Sequence, residues 1–231
     1  MLKNNNRVLI TGANRGIGLG LAEQYLLNGY HVIAACRSAQ NISNEMVEKW
    51  GEQLLILEVD LASDDSIQQF SSVLKSLEIK IDILINNAGI TDKERFGEWS
   101  YKAFSTSLAI NAIGPAILVQ SIKQQLTKFS KIINVSSGLA SIAGIQDGQD
   151  IYTSYAMSKV AINMLNKQLS LTLPSSTVIA LNPGWVRTEM GGPEATDSIE
   201  DACSKMFTHI ESLNSNDSGK FIDYDGNAID Y

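Results

Sequence analysis

Short apolar runs alternate along the chain with longer segments of helical spacing. The runs are rich in isoleucine, valine and leucine and end at turn residues, which is typical of strands that are buried on both faces. Six runs are well defined, and a weaker seventh lies near the C-terminus. The predicted strands cover residues 7–12, 31–36, 54–60, 81–87, 131–137, 177–184 and 220–226.

Four segments between these strands have the 3.6-residue spacing of amphipathic helices. In the last of them, Ala161, Met164, Leu165 and Leu169 mark the expected apolar face. Alternation of strands and helices predicts right-handed crossovers and a parallel sheet with helices on both faces. We therefore expect an α/β fold, a doubly wound parallel sheet forming a single domain over residues 1–231. The predicted helices cover residues 17–27, 66–77, 98–126 and 155–171.

Composition narrows the class of partner. The chain has 231 residues, of which 44% are hydrophobic, and a formal net charge of −7. An acidic protein is a poor match for a nucleic acid or an anionic membrane surface. No continuous apolar run approaches the roughly 18–20 residues of a membrane span, and no signal-peptide core is present. Cys36 and Cys203 are isolated and lack CxxC spacing, so we interpret them as reduced thiols of a cytoplasmic protein. Together with the charge and the apolar runs, this predicts neither a nucleic-acid nor a membrane partner.

Histidine is scarce, which limits the available chemistry. His31 and His209 are the two histidines of the chain, so a histidine-rich metal site is excluded. A Ser-His-Asp triad would have to use one of them, and both lie in settings that favour structural roles. The sequence therefore disfavours the common hydrolytic chemistries, and no metal site is predicted.

A glycine-rich turn, "TGANRGIG", follows the first predicted strand. In doubly wound sheets ligands bind at the carboxyl ends of the strands. Glycines at 12, 16 and 18 allow a tight turn and close approach of a phosphate, and the helix that starts there offers free N–H groups. The spacing G-x-x-x-G-x-G differs from the general dinucleotide fingerprint. Taken alone, the turn is therefore a weak signal that an ordinary βα connection explains almost as well.

Charged residues after the next two strands indicate which dinucleotide would bind. Arg37 stands where NAD-binding proteins usually carry an acid for the ribose 2′-hydroxyl, and a guanidinium there would pair with a 2′-phosphate. Arg15 is placed to reach the same phosphate; alternatively, both arginines are solvated surface residues. Asp60 either accepts a hydrogen bond from the adenine amino group or serves as a turn residue. We expect NADP(H) as the preferred cofactor and NAD(H) as the alternative.

Polar residues follow the remaining strands as well. "NNAG" (86–89), "NVSSG" (134–138) and "NPGWVRT" (182–188) end the fourth, fifth and sixth predicted strands, and Asn111 lies in the long helix between the fourth and the fifth. A single buried asparagine or serine usually only satisfies backbone groups. Their collection at one edge of one sheet predicts a binding site.

Five motifs in this order resemble the short-chain dehydrogenase/reductases over essentially the whole chain: "TGANRGIG", "NNAG", Asn111, Ser137 and Tyr155-x-x-x-Lys159. "HVIAACR", "LNPGWVRTEMGG" and "DSGKFIDYDGNAI" are most similar to the C-factor and sniffer-like carbonyl reductases of that family. The resemblance implies a Rossmann domain with about seven parallel strands. It also implies cofactor contacts from Gly12, Asn14, Arg15, Gly16, Ile17, Gly18, Arg37, Asp60, Leu61, Asn87, Ala88, Gly89, Tyr155, Lys159, Pro183, Gly184, Val186 and Thr188.

The segment "YAMSK" puts a phenol and an ammonium four residues apart on one helix face. A phenol has a pKa of about 10 and is a poor acid–base catalyst at neutral pH unless a nearby cation stabilises its anion. The resemblance implies that Tyr155 gives a proton to the substrate oxygen, that Lys159 also holds the nicotinamide ribose, and that Asn111 positions a water. Ser136 and Ser137 are both candidates for the serine that hydrogen-bonds the oxygen; the family motif selects Ser137.

These features predict an NADPH-dependent carbonyl reductase for small uncharged aldehydes, ketones or quinones. Segments 139–154 and 189–198 should border the substrate, the second as a short flap, with Trp185, Ile142 and Ile145 giving apolar contact. One alternative is a C-factor-like dinucleotide-binding signalling or sensor protein with little catalysis. Another is a sugar-nucleotide epimerase or dehydratase, which resembles longer chains. The family often dimerises through its two long helices, so a homodimer or tetramer is expected, although some members are monomeric.

Overall fold

The structure is a computed structural model that describes residues 6–146 and 149–231. Within these ranges seven strands form one sheet in the order β3-β2-β1-β4-β5-β6-β7, and every neighbouring pair is parallel. The predicted doubly wound parallel sheet is therefore confirmed. The strands are β1 Arg7–Thr11, β2 His31–Cys36, β3 Leu54–Glu58, β4 Ile81–Asn86, β5 Leu126–Val135, β6 Thr177–Asn182 and β7 Phe221–Asp223.

Helices connect the strands and cover the sheet. The predicted helices near 17–27, 66–77 and 155–171 are present with ends shifted by a few residues, whereas α2 and α7 have no counterpart among the four predicted segments. The helices are α1 Gly16–Leu27, α2 Asn44–Trp50, α3 Asp64–Ser76, α4 Tyr101–Leu108, α5 Gly114–Ser121, α6 Thr153–Thr172 and α7 Ile199–Ser212.

Alternating residues of each strand build two apolar layers. In β1, Val8 and Ile10 join the layer that packs against α1 and α7, whereas Leu9 joins the layer that packs against α3 and α5. This is the consequence of side chains pointing to opposite faces of a strand in turn. Tyr25 and Phe70 are among the large residues buried in the first and second layers. Burying a side chain of this size contributes roughly 1.5–3 kcal/mol, so the two layers hold the strand ends in a fixed arrangement.

The single helix predicted over residues 98–126 is wrong in three respects. The helix begins at Tyr101, where the Ser100 hydroxyl caps it by accepting a hydrogen bond from the Ala103 N–H. A π-helical turn, Ala109–Ile113, divides it into α4 and α5. It ends at Ser121, and Leu126 already belongs to β5. Periodicity alone does not reveal a π turn, since one extra residue merely shifts the apolar stripe.

The apolar face predicted for α6 is only partly correct, since Leu169 packs against the core but Met164 does not. Met164 is 62% exposed, whereas the buried residues of this helix are mostly polar. Lys159, Asn163 and Asn166 find hydrogen-bond partners on β5 or directly after it, so tertiary contacts override the apolar periodicity. The buried residues of α6 are Ser154, Ser158, Lys159, Ile162, Asn163 and Asn166.

The helical stretch Tyr101–Ser121 is long and apolar enough to cross a membrane by length and composition. This stretch contains no long continuous apolar run, so the sequence did not predict it as a possible membrane span. Leu118 and Val119, near the end of this stretch, are buried in the layer with α3 and the sheet. Packing against the sheet therefore accounts for these two apolar residues.

Candidate active site

The glycine turn fits a dinucleotide through its backbone. Gly12 has a φ of +67°, which favours glycine, and a Cβ there would lie 3.0 Å from the Ala88 Cα. A Cβ on Gly18 would lie 2.2 Å from the Gly12 carbonyl oxygen. Arg15, at the N-cap of α1, gives that helix no side-chain cap. The first N–H groups of α1 are therefore left without a side-chain cap, and N–H groups of this kind can bind a phosphate.

Thr11 ties the glycine turn to the "NNAG" segment. Its hydroxyl oxygen accepts hydrogen bonds from the backbone N–H groups of Asn87 and Ala88, both at 3.0 Å. The Asn87 side chain returns a hydrogen bond to the Thr11 carbonyl oxygen at 2.8 Å. The two turns that the sequence assigns to the cofactor are therefore built as one unit at the ends of β1 and β4.

The two arginines have different surroundings. The Arg15 guanidinium pairs with the Glu189 carboxylate, which lies in the segment after β6. Arg37 is exposed directly after β2, and no ion pair of Arg37 occurs among the described residues. A cleft of about 310 Å³ opens beside Arg37 and Asp60. Asp60 accepts a hydrogen bond from the Ala62 N–H through Oδ1, so it is at least a turn residue, as one of the two sequence interpretations has it.

The tyrosine–lysine pair meets the end of β5. The Lys159 ammonium donates a hydrogen bond to the Val135 carbonyl oxygen at 2.7 Å and lies 5.6 Å from the centre of the Tyr155 ring. The Tyr155 phenol also lies beside Ser137, whose side chain acts to lower its pKa and whose hydroxyl accepts a hydrogen bond from the Leu139 N–H at 3.2 Å. The structure therefore brings Ser137, Tyr155 and Lys159 together at one strand end.

Burial shifts the acidity of both partners. It raises the pKa of Tyr155 to about 12, although the hydrogen bond with Ser137 acts in the opposite direction. It lowers the pKa of Lys159 to about 8, because the ammonium is removed from water. The site thus holds a neutral phenol beside a cation that titrates close to physiological pH.

Asn111 lies in the π turn, and both ends of its side chain are engaged. Its amide group donates to the Ile90 carbonyl oxygen and to the Ser158 hydroxyl, both at 2.9 Å, and its carbonyl oxygen accepts from the Ile90 N–H at 2.9 Å. Ser158 in turn donates to the Tyr155 carbonyl oxygen at 2.6 Å. Asn111 therefore joins the end of β4 to α6, a contact that sequence spacing did not indicate.

The segment after β6 reaches back over the glycine turn. The Thr188 methyl group lies 3.3 Å from the position of a Cβ on Gly16. Gly184 lies against the ring of Tyr224, so that any side chain at 184 would overlap the ring. The contact between Thr188 and Gly16 therefore places the segment after β6 beside the start of α1.

The predicted flap at 189–198 is anchored at its base. Val186 and Asp197 form a parallel β-bridge, and the Trp185 indole N–H donates to the Gly191 carbonyl oxygen at 2.9 Å. Trp185, Ile142 and Ile145 all keep exposed apolar surface, with Trp185 53% exposed. Part of the other segment, residues 147–148, lies outside the described residues.

Sequence reasoning missed a network of buried amides beneath the site. Asn86 donates to Asn134 at 2.9 Å, and Asn134 donates to Asn166 at 3.1 Å. Ser136 donates to Asn163 at 2.7 Å. The sequence does carry a signal for it, since Asn163 and Asn166 follow Lys159 at helical spacings of four and seven. Elsewhere, no group of three or more histidine, cysteine, aspartate or glutamate side chains suited to a metal ion occurs among residues 6–146 and 149–231.

Comparison with known proteins identifies the family. A family model described as short chain dehydrogenase matches residues 6–198. Because the match spans most of the chain, the chain belongs to the short-chain dehydrogenase/reductase family, and it is an oxidoreductase dependent on a nicotinamide dinucleotide. This confirms the resemblance seen in the sequence.

Individual relatives agree with this assignment. C-signal of Myxococcus xanthus is 36% identical over 154 residues, which cover 64% of this chain and 92% of that protein. Retinol dehydrogenase 13 of Homo sapiens is 36% identical over 202 residues, covering 80% of this chain but only 60% of the human protein.

Two solved structures of carbonyl reductases are similar over nearly the whole chain. An NADPH-bound carbonyl reductase from chicken fatty liver has a TM-score of 0.92 at 31% identity, covering 98% of this chain and 99% of that one. The carbonyl reductase Sniffer of D. melanogaster has a TM-score of 0.90 at 31% identity, covering 99% and 100%.

Proposed function

We propose that this protein is an NADPH-dependent carbonyl reductase for small, uncharged aldehydes, ketones or quinones. The observation that carries the proposal is the cluster of Ser137, Tyr155 and Lys159 at the carboxyl end of β5, in a chain whose glycine turn leaves no room for a Cβ at Gly18. The similarity to two carbonyl reductases supports the substrate class.

The catalytic groups have separate roles in this proposal. Tyr155 donates its proton to the carbonyl oxygen, and Ser137 holds that oxygen by a hydrogen bond. The Lys159 ammonium stabilises the phenolate that remains and also holds the nicotinamide ribose. Asn111 positions a water that returns a proton. A bound dinucleotide supplies the hydride that converts the carbonyl carbon to an alcohol.

The same site is proposed to prefer NADP(H) over NAD(H). The N–H groups of the glycine turn and of α1 would hold the pyrophosphate, joined by Asn14, Ile17 and Thr188. Arg37, assisted by Arg15, would pair with the 2′-phosphate, and a guanidinium suits that role because it makes two parallel hydrogen bonds to a phosphate. The other proposed cofactor contacts come from Asp60, Leu61, Asn87, Ala88, Gly89, Pro183, Gly184 and Val186.

The proposed substrate range follows from the surroundings of the site. Trp185, Ile142 and Ile145 offer apolar surface, and the anchored segment after β6 is short. Initial rates of NADPH oxidation should be compared across neutral aromatic aldehydes and quinones, keto acids and steroids. Turnover of several neutral carbonyls with similar efficiency would support the proposal. A hundredfold preference for a charged keto acid would contradict it.

A second candidate function is dinucleotide-dependent signalling with little catalysis, which the similarity to C-signal favours. The two functions differ in a simple measurement. Tight binding of NADPH without oxidation of it by any carbonyl of the panel would support the signalling protein. Steady turnover would support the reductase.

We propose further that the protein acts in the cytosol, with Cys36 and Cys203 as buried free thiols, and that it forms a homodimer through α4 and α6. Apolar side chains on these two helices and in the π turn that follows α4 remain exposed in the single chain. Tyr101 is 90%, Ile113 56%, Met157 51% and Met164 62% exposed.

A further inference from the structure

Three consecutive residues at the end of β5 each hold a different residue of α6. The Val135 carbonyl oxygen accepts a hydrogen bond from Lys159 at 2.7 Å, and Ser137 lies beside the phenol of Tyr155, on whose pKa it acts. Between them, the Ser136 hydroxyl donates to the side-chain oxygen of Asn163 at 2.7 Å. The helix residues 155, 159 and 163 are four apart and therefore lie on one face of α6.

The middle contact of the three differs from the other two in its chemistry. A proton moves from Tyr155 during the proposed reaction, and the Lys159 ammonium titrates near physiological pH. Neither Ser136 nor Asn163 changes its charge at any pH where the protein is folded. Their hydrogen bond therefore stays the same while the bonds on either side of it are remade.

Both partners are inaccessible to a substrate. Ser136 is 1% and Asn163 is 2% exposed. The amide nitrogen of Asn163 is buried without a hydrogen-bond partner among the described residues, which an apolar side chain at this position would avoid. The amide is thus a poor choice for stability alone, and the hydrogen bond that its side chain makes within the described part of the chain is to Ser136, the residue that precedes Ser137.

We propose that Ser136 and Asn163 form a positioning pair that fixes the end of β5 against α6, and thereby fixes Ser137 relative to Tyr155 and Lys159. The inference rests on the proposed function, because it assigns the reaction to those three residues. The strand side of the pair is itself held, since the Ser136 N–H donates to the Leu181 carbonyl oxygen on β6 at 2.8 Å. A shift of α6 along β5 would move the Tyr155 phenol away from the Ser137 hydroxyl, and in the proposed reaction both groups contact the same substrate oxygen.

The same helix provides a matched control. Asn166 is also fully buried, accepts from Asn134 at 3.1 Å and donates to the Lys220 carbonyl oxygen at 3.2 Å. It lies one turn farther from Lys159, and its partners are not adjacent to Ser137. Asn166→Leu and Asn163→Leu each replace a buried amide by an apolar side chain of similar size, and each leaves a hydrogen-bond partner on β5 or directly after it without its bond.

Kinetics should separate the two variants. Asn163→Leu should lower kcat tenfold or more with KM for the carbonyl within threefold, and should move the alkaline limb of the kcat profile. Asn166→Leu should leave kcat within threefold and the profile unchanged. Ser136→Ala should reproduce the effect of Asn163→Leu, whereas Ser136→Thr should retain activity because it keeps the hydroxyl. The double variant Ser136→Ala/Asn163→Leu should lower kcat no further than either single substitution does.

A measurement without cofactor distinguishes this inference from the proposed function. NMR titration of the Lys159 ammonium, assigned by its disappearance in Lys159→Met, should show a higher pKa in Asn163→Leu than in Asn166→Leu, because a loosened helix admits water. If no carbonyl is turned over, the proposed function fails and this titration still tests the pair. Equal kcat, equal pH profiles and equal titrations in the two leucine variants would overturn the inference. If Asn163→Leu does not fold, the inference is tested with Ser136→Ala, and a Ser136→Ala variant with the kcat and pH profile of the parent would overturn the inference.

Discussion

The Lys159 ammonium donates a hydrogen bond to the carbonyl oxygen of Val135 at 2.7 Å. The residue is 3% exposed, and its principal contact is this neutral carbonyl rather than a carboxylate. A cation placed in this way loses more by desolvation than it regains by one hydrogen bond, which explains why the pKa of Lys159 falls to about 8. The ammonium is thus kept at some cost to folding, beside the phenol of Tyr155.

That cost predicts how stability depends on pH. An unfolded lysine has a pKa of about 10.4, so between about pH 8 and 10 the unfolded chain binds more protons at residue 159 than the folded chain does. The free energy of unfolding should therefore rise with pH in this window by up to about 1.4 kcal/mol per pH unit from this residue. Below pH 8 the cost is fully present.

Urea unfolding of the protein and of Lys159→Met between pH 7 and 9.5 measures this contribution. Burial raises the pKa of the Cys36 and Cys203 thiols, but those thiols are common to both proteins and cancel in the difference. Stability curves that run parallel for the two proteins would show that Lys159 is not desolvated as described.

Cofactor preference should depend on Arg37. Arg37→Asp replaces an exposed cation beside the predicted 2′-phosphate by a repelling carboxylate, so it should weaken binding of NADPH about ten- to a hundredfold and that of NADH much less. Fluorescence titration with both dinucleotides gives the ratio. Arg95→Asp is the control, because it makes the same charge change on an exposed residue outside the predicted cofactor segments. Equal affinity of the parent protein for the two dinucleotides would contradict the assignment.

The packing of the glycine turn predicts a difference between two alanine substitutions. A Cβ at Gly18 would lie 2.2 Å from the Gly12 carbonyl oxygen, so Gly18→Ala should destabilise the protein by about 1–3 kcal/mol. Gly138 is exposed, and a Cβ there would lie 3.6 Å from the Asn182 side chain. The free energy of unfolding of Gly138→Ala should therefore stay within about 0.5 kcal/mol of the parent. Chemical unfolding tests both, and equal midpoints would show that the turn has room for a side chain.

The proposed dimer predicts the effect of a charge on α6. Met164→Glu places a carboxylate at an exposed apolar position of the proposed interface and should convert the dimer to monomers in light-scattering measurements. Val73→Glu on α3, which is 40% exposed away from that surface, should leave the assembly intact. A monomeric parent protein, or a dimer that resists Met164→Glu, would rule out this interface.

The sheet was predictable because each strand is marked by its own residues. Val8, Leu9 and Ile10 are buried on both faces, and that requirement is visible in a five-residue window. The glycine turn and the tyrosine–lysine pair are local for the same reason. The C-terminal boundary of the helix predicted over 98–126 failed because Leu126 and the residues after it read equally well as helix or strand.

The buried polar network was not predictable in the same way. Ser136 and Asn163 are 27 residues apart in the sequence, and Asn86 and Asn134 are 48 apart. Their partners are decided by the packing of α6 on the sheet, so local periodicity marks these asparagines as interruptions of an apolar face. The role of the Asn111 side chain as a link to Ser158 depends on the π turn and could not be inferred from spacing either.

The central claim is that Tyr155 protonates the substrate oxygen, and Tyr155→Phe tests it most directly. The ring and its packing survive this change, whereas the proton donor is lost, so dinucleotide affinity should stay within a few fold of the parent. Turnover of the best neutral carbonyl, followed as NADPH oxidation at saturating cofactor, should fall almost to nothing. Turnover above a tenth of the parent rate in Tyr155→Phe would contradict the account.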